Sequence, residues 1–156
     1  MPTPTYTPLA TVTLASTAAT VTFSSIPATM RDLVVVVNGK TSGNQFTGLR
    51  FNSDSGSNYS MVRMYSGPTS NADTRTYGLL TTGDTTADTF TIAQVMDYSA
   101  TDKHKTFLVR SNITANNTAA HAVRWANTAA ITTVAVEAIS TTWAVGTTFG
   151  LYGIVS

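Results

Sequence analysis

One short motif in the sequence is rich in potential oxygen ligands, Asp54-x-Gly56-x-Asn58. A Ca²⁺-binding loop surrounds its ion with several carboxylates, usually including a bidentate one at the far end of the loop. No carboxylate follows Asp54 within this segment. Asp and Asn are also strong turn formers, because their side chains bond to nearby backbone groups. We therefore predict a tight turn at 52–58 and no metal site.

Few other residues have types and spacings that suit catalysis. Asp84 and Asp88 could serve glycoside hydrolysis only if the fold held them across a cleft, and aspartates in a Thr-rich loop are typical of solvated turns. His104 and His121 are the only histidines, and no nucleophile elbow, P-loop or GxGxxG motif accompanies them. We expect no catalytic residue, no cofactor and no enzymatic activity.

Aromatic side chains offer a different chemistry, since a ring with a polar tip can stack on a sugar. Half or more of the Tyr and Trp residues are expected in the core. Trp143, in a Ser-Thr-Thr-Trp-Ala-Val-Gly segment between two predicted strands, is the best candidate for an exposed ring, and Tyr77 is the next.

The composition excludes several classes of protein. With 156 residues and no cysteine, the chain is expected to form one domain without disulfides or zinc-thiolate sites. The net charge is +1 and the basic residues are scattered, which argues against a nucleic-acid partner. No segment has the pattern of a signal peptide or the roughly 20 apolar residues of a membrane span.

The surface is expected to be polar but almost uncharged. Only 11% of the residues are charged, whereas threonine supplies about a fifth of the chain. Covering such a surface costs little desolvation, because interface cores are depleted in charge. This favours repeated packing against other copies or another protein, with a Thr-rich monomer as the alternative.

The element around which the fold is organised is Ile26–Gly39, IPATMRDLVVVVNG. Five apolar residues from Leu33 to Val37, bounded by turn residues, predict a strand buried on both faces, with Arg31 and Asp32 still on the surface. Other segments alternate apolar and polar residues, and 66–76 is predicted to be a long loop. The pattern predicts an all-β, antiparallel two-sheet jelly-roll sandwich of about eight to ten strands.

Residues 1–8 form a separate feature, with prolines at three positions among threonines. We predict an extended arm here, preceding a single jelly-roll domain over 9–156. Such an arm can be loose or can lie on a neighbouring subunit. The candidate partner-binding residues are therefore Pro2, Pro4, Tyr6 and Pro8 of the arm, together with Trp143 and Tyr77.

Three segments in this order resemble small structural proteins of tailed bacteriophages, particularly those of marine and cyanobacterial hosts. They are FSSIPATMRDLVVVVNG at 23–39, LRFNSDSGSNYS at 49–60 and VAVEAISTTWAVGTTFGLYGI at 134–154. The resemblance covers about a third of the chain. Phe23, Ile26, Pro27, Asp32 and Leu33 match as structural positions, and Asn52, Asp54, Gly56, Asn58 and Tyr59 match as a structured loop.

The resemblance implies a jelly-roll virion protein, either a capsid decoration (cement) protein or a domain of a tail appendage, commonly trimeric. The chain has no collagen-like or coiled-coil stalk, which favours a piece seated on the particle itself. The implied partners are further copies of the chain and the major capsid protein. The alternative is a tail-fibre module that recognises host glycans through Trp143 and Tyr77.

Overall fold

The structure, a computed structural model, describes residues 5–65, 70–113 and 117–155. Within these ranges the chain forms twelve β-strands and no helix. The strands are β1 Tyr6–Thr13, β2 Thr20–Phe23, β3 Asp32–Gly39, β4 Phe46–Phe51, β5 Tyr59–Tyr65, β6 Ser70–Arg75, β7 Gly78–Thr82, β8 Thr89–Met96, β9 Lys105–Ile113, β10 Asn117–Trp125, β11 Val134–Ala138 and β12 Thr148–Ile154.

The strands form two antiparallel sheets, as the sequence predicted. The larger sheet has the order β1-β12-β3-β8-β9-β10-β5-β6, and the smaller has the order β2-β11-β4-β7. Without β5, β6, β9 and β10, eight strands remain in two four-stranded sheets, β1-β12-β3-β8 and β2-β11-β4-β7. Successive strands of this set pass from one sheet to the other, except that β4 and β7 both lie in the smaller sheet, and this is the jelly-roll arrangement. The predicted fold class is confirmed.

Two inserted hairpins distinguish this chain from an eight-stranded jelly roll. The pairs β5-β6 and β9-β10 both add to the larger sheet, beyond β8. They raise the strand count of the described residues above the expected eight to ten. The predicted loop at 66–76 is wrong in part, because β6 pairs with β5 over Ser70–Arg75. Its composition has few apolar residues, and the backbone pairing with β5 stabilises it instead.

The valine-rich strand β3 lies inside the larger sheet, hydrogen-bonded to β12 on one edge and β8 on the other. Leu33, Val35 and Val37 point into the core, and Val34 on the opposite face is also buried. The prediction that Asp32 lies on the surface is wrong. Its carboxylate is buried because it accepts hydrogen bonds from the Asp97 backbone N–H and the Gln94 side-chain amide, both at 3.1 Å.

The N-terminal strand β1 starts inside the predicted arm. Tyr6 pairs with Ile154 and Pro8 with Tyr152, so both belong to the sheet rather than to a separate arm. Without β1, β12 would present an open edge of the sheet. Pro8 is tolerated because β1 is itself an edge strand, with its register shift just after that residue. Pro2 and Pro4 lie outside the described residues.

An aromatic cluster joins the two sheets. Trp125 stacks on Tyr59 with ring centroids 6.4 Å apart, and its edge meets Phe51 at 5.5 Å. Phe107 meets Phe51 edge-on at 5.4 Å. All four rings are fully buried. This cluster holds the inserted strands β5, β9 and β10 against β4 of the smaller sheet.

A candidate interaction face on the larger sheet

The oxygen-rich loop is a structural turn, as predicted. Asp54 Oδ1 accepts a hydrogen bond from the Gly56 backbone N–H at 2.9 Å, and Oδ2 accepts one from the Trp125 indole N–H at 2.7 Å. Asn58 donates to both oxygens. Although partial burial opposes it, these bonds hold the pKa of Asp54 below its usual value. The carboxylate therefore ties the turn to the aromatic cluster.

The other acidic and imidazole candidates do not form a site. Asp84 is buried, and its Oδ1 accepts hydrogen bonds from Thr86 and Ala87 that lower its pKa, while Asp88 is exposed. His104 is exposed, directly before β9. His121 is buried in β10, where burial and the nearby Arg63 cation lower its pKa to about 4. Among the described residues no group of three His, Cys, Asp or Glu could hold a metal ion.

The two aromatic residues predicted to be exposed are both buried. Trp143 has only 1% of its surface exposed and packs edge-on against Phe149 at 5.2 Å. Tyr77 is 7% exposed, and its hydroxyl accepts a hydrogen bond of 2.8 Å from Arg75. The predicted exposure was wrong because each ring turns to the core side of its segment, which the sequence alone does not show. Tyr6, in contrast, is exposed.

The structure instead reveals an apolar surface that sequence analysis missed. We call it the outer face: the even-numbered residues of β5, β8, β9 and β10, which point away from the core. Four large apolar side chains on it are about half exposed, Val62 at 50%, Met64 at 56%, Phe90 at 46% and Leu108 at 53%. Scattered exposed apolar residues are ordinary, but a contiguous set marks a binding surface.

The strand register makes Val62, Met64 and Leu108 contiguous. Leu108 lies opposite Gln94 and Ala122, and Ala122 lies opposite Val62. Side chains directly opposite one another on antiparallel strands are about 5 Å apart, so this row is a continuous line of contact. In the next row, Ala120 lies opposite Met64.

Alanines make the face concave. A hollow of about 500 Å³ includes Ala122, Val62 and Leu108 in its lining. A second, of about 480 Å³, includes Ala120, Ala122 and Met64. The small methyl groups form the floor, while the longer side chains beside them form the walls. The surface can therefore receive protruding apolar groups from a partner.

The charge of the outer face has a single sign. Its only ionisable residues are Arg110 and Arg124, both exposed, and it carries no Asp or Glu. Neither arginine forms an ion pair with any residue in the described parts of the chain. Arg110 lies opposite Ile92 and Ala120, so it stands within the apolar surface rather than at its border.

An ion-pair network holds the added hairpin in place behind this face. Asp73 Oδ2 lies 3.0 Å from Arg63 and 2.9 Å from Arg75. The Arg75 guanidinium also lies over the Phe46 ring, 4.6 Å from its centroid. Because Phe46 belongs to β4, the network connects β5 and β6 to the smaller sheet. It therefore fixes the position of the strand that carries Val62 and Met64.

One sequence signal could have indicated the face. In β9, apolar Leu108 interrupts the polar side of a strand whose Phe107 and Val109 face the core, and in β5 both Val62 and Met64 are apolar on the side opposite the buried Met61. Apolar residues on both faces of a strand are typical of a sheet covered on both sides.

Comparison with known proteins identified no relative of this chain. No family model, curated protein or solved structure matches the chain significantly. No helix in the described ranges is long and apolar enough to span a membrane.

Proposed function

We propose that this chain is a non-enzymatic virion structural protein of a tailed bacteriophage. In this proposal it is a capsid decoration protein that binds the assembled shell as a homotrimer, where major capsid subunits meet. The observation that carries the proposal is the exposed, concave, apolar outer face on a jelly-roll module. The resemblance of 23–39, 49–60 and 134–154 to phage structural proteins supplies the particle as the partner.

The outer face supports attachment rather than turnover. It combines half-exposed apolar side chains with shallow hollows. The four strands of the face span about 15–20 Å by 25 Å, or roughly 400–500 Å². A standard interface buries about 800 Å² per partner, so one such face alone would bind weakly. Three faces on a trimer would bind together, because the later contacts become intramolecular.

The proposed mechanism is mass action. A protein that binds the assembled shell and not its dissociated subunits stabilises the shell by RT ln(1 + [L]/Kd) for each site. Bound at one hundred times Kd, it would contribute about 2.7 kcal/mol per site. No chemical step is required of the protein. It needs only a stable framework and a complementary surface.

The location of the protein on the particle tests the proposal. Gold-labelled antibody against the chain, applied to particles from its source, should label the head. Light scattering should give a mass three times that of one chain. Label confined to the tail would contradict decoration and favour the tail-appendage alternative. A glycan array would then test that alternative. Trp143 and Tyr77, the two residues proposed to bind the glycan, are buried and cannot stack on a sugar.

The N-terminal arm can be tested separately. Deleting residues 2–4 leaves β1, which begins at Tyr6, intact. If the arm lies over a neighbouring subunit, the deletion should lower occupancy on particles without changing thermal stability. Unchanged occupancy would remove the arm from the binding surface. The longer deletion of 1–8 is less informative, because it would also remove the pairing of Tyr6 and Pro8 with β12.

A further inference from the structure

We infer that the particle surface covering the outer face presents carboxylates that pair with Arg110 and Arg124. This inference rests on the proposed function for the identity of the particle, and it adds the chemistry of the contact. It follows from the composition of the face. Apolar side chains there require an apolar partner, and its two cations require anions.

Covering the outer face removes water from Arg110. Arg110 stands opposite Ile92 and Ala120, and it lines the same hollow as the half-exposed side chains of Met64 and Leu108. A partner that covers these apolar groups must also remove water from the guanidinium. A buried charge without a partner is strongly destabilising, so a stable complex has to supply an acceptor. Arg guanidinium groups pair best with carboxylates, through two parallel hydrogen bonds.

A second copy of the same face cannot supply these acceptors. The outer face contains no Asp or Glu. Two copies packed face to face would bury four arginines, and the carboxylates next to the face, Asp32 beside Gln94 and Asp73 beside the larger hollow, are already bound to groups of their own chain. Like charges in an interface cost several kcal/mol, so this pairing is disfavoured. Contact between two outer faces is therefore disfavoured, and the acceptors have to come from a different kind of surface.

The register gives the spacing of the required carboxylates. Arg110 pairs with Ala120 across β9 and β10, and Arg124 lies four residues further along β10. At about 3.4 Å per residue and 4.8 Å between strands, the two arginine Cα atoms are about 14 Å apart. The partner should place its carboxylates at a similar separation, on either side of an apolar projection that enters the hollow over Ala122.

The test is rebinding of labelled protein to particles stripped of this protein. The variant Arg110→Glu/Arg124→Glu should bind more than about tenfold more weakly than wild type. The control Lys40→Glu, matched in charge to the single variant Arg110→Glu, changes a residue in the loop after β3 that is not part of the face, and it should bind like wild type. Leu108→Gln, which alters only an exposed apolar side chain, should also weaken binding. Circular dichroism and melting curves should show that all variants are folded.

Two further measurements identify the anion. Amidating the particle carboxylates with carbodiimide and glycinamide should weaken wild-type binding and leave little further effect of the arginine changes. Raising the salt concentration should weaken binding of the wild type more than that of the arginine variant, because screening acts on the ion pairs.

The outcomes separate the inference from the proposed function. If the arginine variant still binds the phage head like wild type, the inference is overturned and the proposed decoration function stands. Tail binding that depends on Arg110 and Arg124 would overturn decoration and support the inference. Equal losses in Arg110→Glu and Lys40→Glu would also overturn the inference, since net charge alone would then explain binding. Failure of the wild type to bind particles at all would overturn both.

Discussion

The hydrogen bond between Trp125 and Asp54 is predicted to be a principal support of the inserted strands. The indole N–H donates to Oδ2 at 2.7 Å, and the ring is fully buried between Tyr59 and Phe51. The variant Trp125→Phe keeps an aromatic ring but removes the donor. It separates the hydrogen bond from most of the packing.

The magnitude follows from two contributions. A hydrogen bond to a charged group contributes about 1.5–3 kcal/mol to stability. Shrinking indole to phenyl leaves a small cavity that costs about 1 kcal/mol more, a fraction of the 3–5 kcal/mol for complete removal of a large aromatic ring. We expect Trp125→Phe to lower the free energy of unfolding by about 3 kcal/mol. For a domain of this size the melting temperature should fall by about 6–12 °C.

Trp143 offers a matched control. It is equally buried, but its indole N–H has no hydrogen-bond partner among the described residues. Trp143→Phe creates a similar cavity while removing an unsatisfied donor, so it should cost less than about 1 kcal/mol. Urea denaturation of both variants measures the difference. Equal losses of stability would refute the role assigned to the Asp54 bond.

A double-mutant cycle isolates the interaction itself. In the Asp54→Asn background, Trp125→Phe should cost about 1–2 kcal/mol less than in wild type. The folded pKa of Asp54 is lowered, so its contribution is present above pH 3.8 and is lost as the pH falls through the folded pKa. The difference between wild type and Trp125→Phe should therefore shrink in strong acid. Additive substitutions at neutral pH would contradict direct coupling.

Three further predictions concern the framework. The pKa of His121 is about 4 in the folded state and 6.5 in the unfolded state, so between these pH values the unfolded state binds one more proton. The free energy of unfolding should therefore fall by roughly 2–3 kcal/mol from pH 6.5 to 4. His121→Gln should flatten that part of a urea-denaturation pH profile, and an unchanged slope would contradict it. Asp73→Asn should lower the free energy of unfolding, measured by calorimetry, by about 1–2 kcal/mol, because Arg63 and Arg75 lose the carboxylate that they share. An unchanged melting temperature would mean that this ion-pair network does not stabilise the fold. Gly78→Ala should lower the free energy of unfolding in urea by roughly 1–3 kcal/mol, because the added Cβ would clash with the buried Phe107 ring. Gly43→Ala should cost less, because its Cβ would lie 3.1 Å from the Thr141 hydroxyl oxygen. Equal losses of stability in the two variants would argue against the clash at Gly78.

Local sequence patterns were sufficient for much of the framework. The run from Leu33 to Val37 predicted the buried strand β3, because continuous apolar β-branched residues suit few other environments. Asp54, Gly56 and Asn58 predicted their turn, since the hydrogen bonds that define it lie within five residues. These features depend on contacts between residues close in the sequence.

Features that depend on pairing between segments distant in the sequence could not be predicted from local sequence patterns. β6 consists mostly of polar residues, and it is a strand because β5 lies beside it. Asp32 is buried because Gln94 and Asp97, more than sixty residues away, supply its donors. Both were misjudged because composition reports the preference of a residue and not the partners that tertiary structure brings to it.

The same distinction between local patterns and tertiary pairing applies to the surface that is relevant to function. The sequence alone determined that the protein is an all-β domain with little charge, since composition and alternation are properties of the chain itself. Only the tertiary structure decided that Trp143 and Tyr77 turn inward and that Leu108, Val62 and Met64 meet on one exposed face. The physical reason is register: a shift of one residue would turn each side chain to the other side of the sheet, and only the pairing of β5, β9 and β10 determines which side faces water.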